Sequence, residues 1–452
     1  MEYKKFLAKK QIVGQKNGFE ISTEKLNPML FDWQKLLVQW ALAKGSGAIF
    51  ADCGLGKTPM QLDWADQIVK KINKPVLILT PLAVSSQTVR ESKKFNIECK
   101  RSLDGKVKSK IIITNYEKIH FFNPNDFVGV VCDESSAIKH FAGARQKAVT
   151  QFMSKIQYRL LCTATAAPND YIELGTASEA LGQLGRMDML GTFFKNDENS
   201  LHPIWWGARW RFKAHAESNF WRWICSWARA LRKPSDIGFD DKGFILPPLI
   251  TNETIVKASR PGNWGFFIMP AITLDEQRKE RKATIQERCE EAANKLNGKS
   301  SGVAWCHLNA EADLLEKIIP GAKQISGSDS DEKKEETFLD FVNGNLRILV
   351  TKPRIGGFGL NWQHCSNMTF FPSHSFEQYY QGVRRCWRFG QKNPVTVDII
   401  TTEGEIGVLK NLQRKAIAAD KMFTQLVNEM NNEMNIKQLD KYKNNMEVPE
   451  WL

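Results

Sequence analysis

The segment ADCGLGKT, residues 51–58, has the residue types and spacing of a loop that binds phosphate groups. Gly54 and Gly56 allow backbone N–H groups to close around a phosphate, and Lys57 can reach the outer phosphates of a nucleoside triphosphate. The Thr58 hydroxyl is a suitable ligand for Mg²⁺. Because an apolar strand-like run precedes the loop and a helix-compatible run follows it, we interpret the segment as a Walker A loop with alanine in place of the first glycine. The alternative is a glycine-rich turn before a helix.

A second candidate group, Asp133-Glu134-Ser135-Ser136, follows the apolar run FVGVVC. An aspartate at the carboxyl end of a buried strand lies where a Walker B aspartate holds Mg²⁺, and an adjacent glutamate can position or polarise an attacking water. In isolation, two acids of this kind could instead cap a helix that begins at Ser135. The upstream Walker A loop favours the catalytic interpretation of Asp133 and Glu134.

Short apolar runs separated by helical segments must position these groups. Such a pattern predicts βα units that build parallel sheets buried on both faces. In the first half of the chain the runs are 47–51, 75–80, 110–114, 127–132 and 159–163. In the second half they are 303–306, 323–326, 347–351, 368–371 and 395–400. We therefore predict an α/β protein with two lobes.

Taken in order, the motifs resemble those of superfamily 2 helicase-like ATPases, and among them the Swi/Snf-type DNA translocases. The resemblance covers roughly residues 28–415. The segments that carry it are PMLFDWQ (Q motif), ADCGLGKT (motif I), TPLAVSSQTVRE (motif Ia), ITNYEKI (the next nucleic-acid-contacting motif), DESSAIKH (motif II), TATAAPND (motif III), TKPRIGGFGLNWQ (motif V) and QGVRRCWRFGQ (motif VI).

The resemblance implies two RecA-like lobes that bind ATP and Mg²⁺ in the cleft between them. The implied catalytic residues are Lys57, Asp133, Glu134, Arg385 and Arg388. The implied nucleotide-binding residues are Gln34, Gly54, Leu55, Gly56, Lys57, Thr58 and Gly357, with Thr58 and Asp133 as Mg²⁺ ligands. The implied nucleic-acid-binding residues are Thr80, Pro81, Asn115, Gly359 and Asn361.

Motif VI is the more specific match in the second half of the chain. Arg385 and Arg388 are three residues apart, so on a helix they share one face and can both meet a γ-phosphate across the cleft. A guanidinium suits this role because it binds phosphate bidentately and stays charged. The alternatives are a basic surface helix for these arginines and a simple glycine turn for motif V.

Motifs II and III depart from the family pattern. Ser135 and Ser136 replace Ala-His in motif II, and Ala164 and Ala166 replace a glycine and a proline in motif III. These changes weaken the prediction of efficient coupling between the lobes more than the prediction of hydrolysis.

Residues 205–233 hold six of the fourteen tryptophans and seven Arg or Lys against one acid. At 100° per residue, one face of a predicted helix would carry Phe220, Trp223, Ile224, Trp227 and Leu231, and the opposite face would carry Arg222, Arg229 and Lys233. One interpretation is a basic stripe that tracks phosphates, with Trp205, Trp206 or Trp210 stacking on bases. The other is a set of core tryptophans beneath an ordinary solvated face.

Composition sets the remaining expectations. The 63 Lys and Arg against 50 Asp and Glu give a formal charge of +13, which suggests a polyanionic partner. The N-terminus lacks an apolar signal region, no run of 18 apolar residues occurs, and the nine cysteines form no CxxC pair. We therefore expect a cytoplasmic protein with reduced cysteines and no membrane partner. We also expect a monomer, and by its small size the chain resembles a phage or bacterial version of the family.

We predict the first lobe over residues 1–182, a basic Trp-rich and mostly helical insertion over 183–248, the second lobe over 249–405, and a C-terminal helix with a frayed polar tail over 406–452. The resemblance to Swi/Snf-type translocases implies ATP hydrolysis coupled to translocation along double-stranded DNA. One alternative is a strand-separating DEAH-type helicase acting on RNA or DNA. Another is a non-catalytic DNA-binding adaptor with a relic ATPase site.

Overall fold

The structure, a computed structural model, describes residues 16–140, 143–167, 170–196, 210–257, 274–356 and 361–444. The chain divides into two compact units, Met1–Lys242 with Ala419–Leu452, and Gly243–Ala418. Four predicted residues, Gly357, Gly359, Trp205 and Trp206, lie outside the described ranges. Across those ranges, no helix is long and apolar enough to cross a membrane.

The first unit is built on a seven-stranded sheet in which every pair of neighbouring strands is parallel. Its strands are β1 (Ser46–Ala51), β2 (Val76–Thr80), β3 (Lys100–Arg101), β4 (Ile111–Asn115), β5 (Gly129–Asp133), β6 (Tyr158–Cys162) and β9 (Ala228–Leu231). Their order across the sheet is β3-β4-β2-β5-β6-β1-β9. A separate antiparallel pair joins β7 (Phe194–Asn196) and β8 (Trp210–Phe212).

Helices connect these strands and cover the sheet. They are α1 (Asp32–Lys44), α2 (Lys57–Ile72), α3 (Ser85–Lys94), α4 (Ala144–Ser154), α5 (Leu174–Leu181), α6 (Arg186–Phe193) and α7 (Ala216–Cys225). All residues of β1, β2, β4 and β5 are buried, as expected of parallel strands packed on both faces.

The second unit contains a six-stranded sheet, also entirely parallel, in the order β10-β15-β14-β11-β13-β12. The strands are β10 (Leu249–Val256), β11 (Gly302–Trp305), β12 (Ala322–Gln324), β13 (Ile348–Thr351), β14 (Asn367–Phe370) and β15 (Val395–Thr402). The helices are α8 (Leu274–Ala283), α9 (Ile285–Leu296), α10 (Asn309–Ile318), α11 (Asp331–Val342), α12 (Pro353–Gly356), α13 (Phe376–Cys386) and α14 (Ile406–Asn444). The residues of α14 from Ala419 onward belong to the first unit.

The predicted α/β fold with two parallel sheets is confirmed, and a strand overlaps each of the ten predicted apolar runs. Sequence reasoning missed five of the described strands, β3, β7, β8, β9 and β10. The polar tail predicted after the C-terminal helix is partly wrong, because α14 continues to Asn444.

The prediction that a single helix carries the basic stripe as far as Lys233 is also wrong, because α7 ends at Cys225. The following residues form β9, which pairs with β1, so backbone pairing with the sheet replaces further helical hydrogen bonds. The five apolar residues of the predicted face are all buried, but they belong to a helix, a turn and a strand.

A buried ion network stabilises the second unit. The Arg288 guanidinium lies 2.7 Å from the Glu311 carboxylate, and both side chains are completely buried. Glu311 also accepts hydrogen bonds from the backbone N–H groups of His307 and Leu308. Burial alone would raise the pKa of Glu311, but Arg288 and the two N–H groups hold this pKa below its ordinary value.

Replacement of Glu311 by glutamine should lower the free energy of unfolding by about 3 kcal/mol or more, because it leaves the buried Arg288 charge without its nearest carboxylate. Urea unfolding of the full chain at neutral pH measures this. Glu291→Gln is the control, since Glu291 pairs with Lys295 in a partly exposed i,i+4 contact and should change stability by about 0.5 kcal/mol or less. Equal effects of the two substitutions would contradict a stabilising role for the buried pair.

Candidate functional site

The carboxyl ends of five parallel strands bring together the motifs of the first unit. In spatial order, β4 ends at Asn115, β2 at Thr80, β5 at Asp133, β6 just before Thr163, and β1 just before the Walker A loop. These segments are far apart in sequence, and the parallel sheet aligns them along one edge. Ligands of open α/β sheets bind at this edge.

The Walker A loop has the backbone conformation that its glycines permit. Gly54 and Gly56 adopt φ angles of 89° and 69°, in the left-handed region that most residues avoid. Lys57 is the first residue of α2, and Thr58 follows it, half-buried. The Lys57 ammonium donates a hydrogen bond to the Ala51 carbonyl at 3.0 Å, so its side chain folds back over the loop.

Gln34 connects the loop with the N-terminal segment. Its side-chain amide donates to the Leu55 carbonyl at 3.1 Å, and its side-chain oxygen accepts from the Phe31 N–H at 3.0 Å. A Cβ atom on Gly56 would lie only 2.4 Å from the Gln34 side-chain nitrogen, so a side chain there would displace the Gln34 amide from the loop. Gln34 therefore supports the conformation of the loop directly.

The two acids of motif II differ in conformation. Asp133 ends β5 and is buried, and this burial, together with the nearby Glu134 charge, raises the pKa of Asp133 to about 6. Glu134 adopts a left-handed conformation with φ of 49°. Left-handed backbone costs a residue with a side chain roughly 1–2 kcal/mol, and such strain is concentrated at functional sites.

Motif III contacts motif II. The Thr163 hydroxyl donates to the Glu134 carboxylate at 3.3 Å and accepts from the Thr165 N–H at 3.1 Å. The strand order explains this contact, because β6 lies directly beside β5. A change at motif III can therefore reach Glu134 through one hydrogen bond.

The predicted metal ligands fit Mg²⁺ in their chemistry. Thr58 offers a hydroxyl oxygen and Asp133 a carboxylate oxygen, which are the hard donors that this ion prefers. Because the Asp133 carboxylate is buried, a cation near it would stabilise its charged form.

The predicted nucleic-acid residues of the first unit are less accessible than expected. Thr80 is completely buried, and the Asn115 side chain caps the short helix Tyr116–Phe121 by accepting from the Lys118 N–H at 3.1 Å. The two residues are register partners in β2 and β4. Pro81 is half-buried beside them. Neither Thr80 nor Asn115 therefore exposes surface for contact with a polymer in this structure.

The three basic residues of the predicted stripe do not form one surface. Arg222 is exposed on α7, whereas Arg229 is buried in β9, where its guanidinium lies 4.6 Å from the ring centroid of Trp40 and donates to the Cys225 and Ala228 carbonyls. Lys233 lies beyond β9 and forms an ion pair with Asp241. The structure supports the alternative of a tryptophan core, because Trp221, Trp223 and Trp227 are all buried.

In the second unit, α13 carries motif VI but ends at Cys386. Arg385 is on the helix, buried, with its guanidinium 3.3 Å from the Gln381 side-chain oxygen. Arg388 lies past the helix end, so the prediction that both arginines share a helix face is wrong. The Gln391 side chain donates to the Cys386 carbonyl at 3.2 Å, which satisfies a backbone group at the end of the helix.

Aromatic residues on both sides of Arg388 fix the motif VI loop. The Trp387 indole N–H donates to the Pro247 carbonyl at 2.7 Å, and the ring of Phe389 stacks on Phe244 with centroids 4.9 Å apart. The Arg384 guanidinium lies 4.6 Å from the Trp387 ring centroid. The segment that precedes β10 therefore holds the loop that carries Arg388.

Motif V contacts motif VI within the same unit. Asn361 precedes the buried Trp362, whose backbone N–H donates to the Arg385 carbonyl at 2.9 Å. This bond connects the predicted nucleic-acid segment to the helix that bears Arg385.

Sequence reasoning missed two residues that contact Asp133. The Gln61 side-chain amide donates to the Asp133 carboxylate at 2.7 Å, and the Tyr116 hydroxyl donates to the Asp133 carbonyl at 2.6 Å. Gln61 lies four residues after Lys57, one helical turn along the same helix. A polar residue at that spacing on a buried helix face could have indicated a contact with the site.

No protein-family model matches the chain, but one curated protein and several solved structures resemble it. It is 24% identical to "Putative protein p41" of Acyrthosiphon pisum secondary endosymbiont phage 1, over 82% of this chain and 92% of that protein. A Sulfolobus solfataricus SWI2/SNF2 ATPase core in complex with double-stranded DNA matches 90% of this chain and 96% of its own, at 16% identity and a TM-score of 0.42.

S. cerevisiae Dbp5, bound to RNA and ADP with beryllium fluoride, matches 89% of this chain and 98% of its own, at 12% identity and a TM-score of 0.55. The likeness to Dbp5 shows that the two proteins share a fold. In this fold the two parallel sheets of the chain are two RecA-like lobes. The first sheet carries motifs I to III at its carboxyl edge, and the second unit carries motif VI on α13 and the loop after it.

Proposed function

We propose that this protein is a nucleic-acid-dependent ATPase that couples ATP hydrolysis to translocation along double-stranded DNA. The observation that carries the proposal is the carboxyl edge of the first sheet, where a Walker A loop and the Asp133-Glu134 pair meet on a helicase-core fold. The formal charge of +13 and the Swi/Snf-like order of the motifs support a DNA partner. The similarity to a phage protein supports a phage origin.

In this proposal the first unit binds the nucleotide. Backbone N–H groups around Gly54 and Gly56 would surround the phosphates, and Lys57 would leave its carbonyl partners to contact the β- and γ-phosphates. Thr58 and Asp133 would hold Mg²⁺, which neutralises charge on the phosphates when bound. Gln34 would contact the base while it supports the loop.

Glu134 would orient the attacking water. Because the Thr163 hydroxyl donates to Glu134, a movement of motif III would change the position of the Glu134 carboxylate. Arg385 and Arg388 would add positive charge to the γ-phosphate in the transition state. Asn361 and Pro81 would contact the polymer, together with the segments that follow Thr80 and Asn115. Those two segments begin at the same sheet edge as the hydrolytic residues. Separation of duplex strands in a displacement assay would instead favour a strand-separating helicase.

Replacement of Glu134 by glutamine should preserve ATP binding but slow hydrolysis by about 10² to 10⁴-fold, because the amide cannot act as a base toward water. Lys57→Ala should weaken ATP binding itself. Titration with a fluorescent ATP analogue and single-turnover phosphate release measure the two effects separately. Glu98→Gln, at an exposed carboxylate of the same unit, is the control. Wild-type turnover in Glu134→Gln would refute the assignment of motif II.

Replacement of Arg388 by alanine should leave ATP affinity nearly unchanged, because the phosphates are held by Lys57 and Mg²⁺. Polymer-stimulated turnover should fall by about 10³-fold or more, as for arginine fingers in other phosphoryl-transfer enzymes. Arg388→Lys should restore little, since an ammonium lacks the planar fork of a guanidinium. The control is Arg414→Ala, at an exposed arginine of the second unit. Normal stimulated turnover in Arg388→Ala would show that motif VI has another role.

A further inference from the structure

Two buried side chains hold Asp133 from different directions. The Gln61 amide, on α2, donates to the carboxylate at 2.7 Å, and the Tyr116 hydroxyl, from the segment after β4, donates to the main-chain carbonyl at 2.6 Å. Gln61 is completely buried and Tyr116 almost completely. Both the backbone and the carboxylate of Asp133 therefore have a hydrogen-bond partner inside the first unit.

The position of Gln61 gives its bond a specific consequence. α2 begins at Lys57, and Gln61 lies four residues later, one helical turn along the same helix. The helix that starts with the phosphate-binding lysine thus also reaches the carboxylate of motif II. A hydrogen bond from a buried amide to one carboxylate oxygen limits the rotation of the carboxylate and sets the direction of its remaining lone pairs.

We propose that Gln61 is a positioning residue for the metal site, and that it orients Asp133 for Mg²⁺ while Tyr116 fixes the backbone beneath it. This inference rests on the proposed function, because it assumes that Asp133 binds Mg²⁺ beside a nucleotide. Partners that orient a metal ligand typically change metal affinity or activity by about 10 to 100-fold when they are removed. Gln61 acts through Asp133, and its effect should appear in metal binding rather than in contact with the nucleotide.

The same helix provides a matched control. Gln67 is also a buried glutamine of α2, but its amide donates to Asp63 at 3.0 Å and to the Lys25 carbonyl at 3.1 Å. Gln67→Met and Gln61→Met each replace a buried glutamine with an unbranched side chain of similar length. The two variants differ in which carboxylate loses its hydrogen bond.

The test compares the affinity of a non-hydrolysable ATP analogue with Mg²⁺ and with EDTA, by calorimetry on the full chain. Without Mg²⁺, Gln61→Met should bind the analogue as the wild type does. The tightening produced by Mg²⁺ should be about 10-fold smaller in Gln61→Met than in the wild type and in Gln67→Met. Tyr116→Phe, which removes one hydroxyl, should reduce the tightening in the same direction, and it serves as the test if Gln61→Met does not fold.

Full Mg²⁺-dependent tightening in both Gln61→Met and Tyr116→Phe would overturn the inference while leaving the proposed function intact. Equal losses in Gln61→Met and Gln67→Met would also overturn it, since the effect would then belong to α2 packing rather than to Asp133. A wild-type protein that binds no analogue, or that shows no Mg²⁺ dependence, would instead refute the nucleotide and metal site on which the inference rests.

Discussion

Every strand of the two large sheets runs parallel to its neighbours, and this constraint places the candidate site. A parallel sheet needs a crossover between successive strands, and the crossovers cover both of its faces with helices. The edge formed by the carboxyl ends is therefore where functional loops can gather. In the first unit this edge carries motifs I, Ia, II and III and the motif after β4, so residues from Ala51 to Thr165 meet there although long segments separate them in sequence.

Asp133 is the point at which several of these elements meet. Its buried carboxylate accepts a hydrogen bond from Gln61, on the helix that starts at the Walker A lysine. Its backbone carbonyl accepts a hydrogen bond from Tyr116, in the segment after β4. The next residue, Glu134, has a strained backbone and contacts motif III. Burial raises the pKa of Asp133, and a bound cation would stabilise its charged form, which is consistent with the proposed role of Asp133 as a Mg²⁺ ligand.

The sequence predicted the elements whose patterns are set locally. Nine of the ten predicted strands are apolar runs because most of their residues are buried, whereas the three residues of β12 are half-buried. By contrast, β10 is an exposed edge strand with polar residues, and β9 follows a helical pattern that pairing with β1 overrides. The Walker A and motif II residues could be predicted from residue types and their order along the chain. The hydrogen bonds of Gln61 and Tyr116 to Asp133 could not, because they depend on tertiary contacts. The end of α13 before Arg388 and the burial of Arg229 could not be predicted, because distant partners determine both.

The proposed function requires that nucleic acid controls ATP hydrolysis. The steady-state rate of phosphate release from the full chain, measured in parallel with no polymer, single-stranded DNA, double-stranded DNA and RNA, tests this most directly. We expect a low rate without polymer and the largest stimulation with double-stranded DNA, reduced by added salt because phosphate contacts are electrostatic. The same rate under all four conditions would contradict control by nucleic acid.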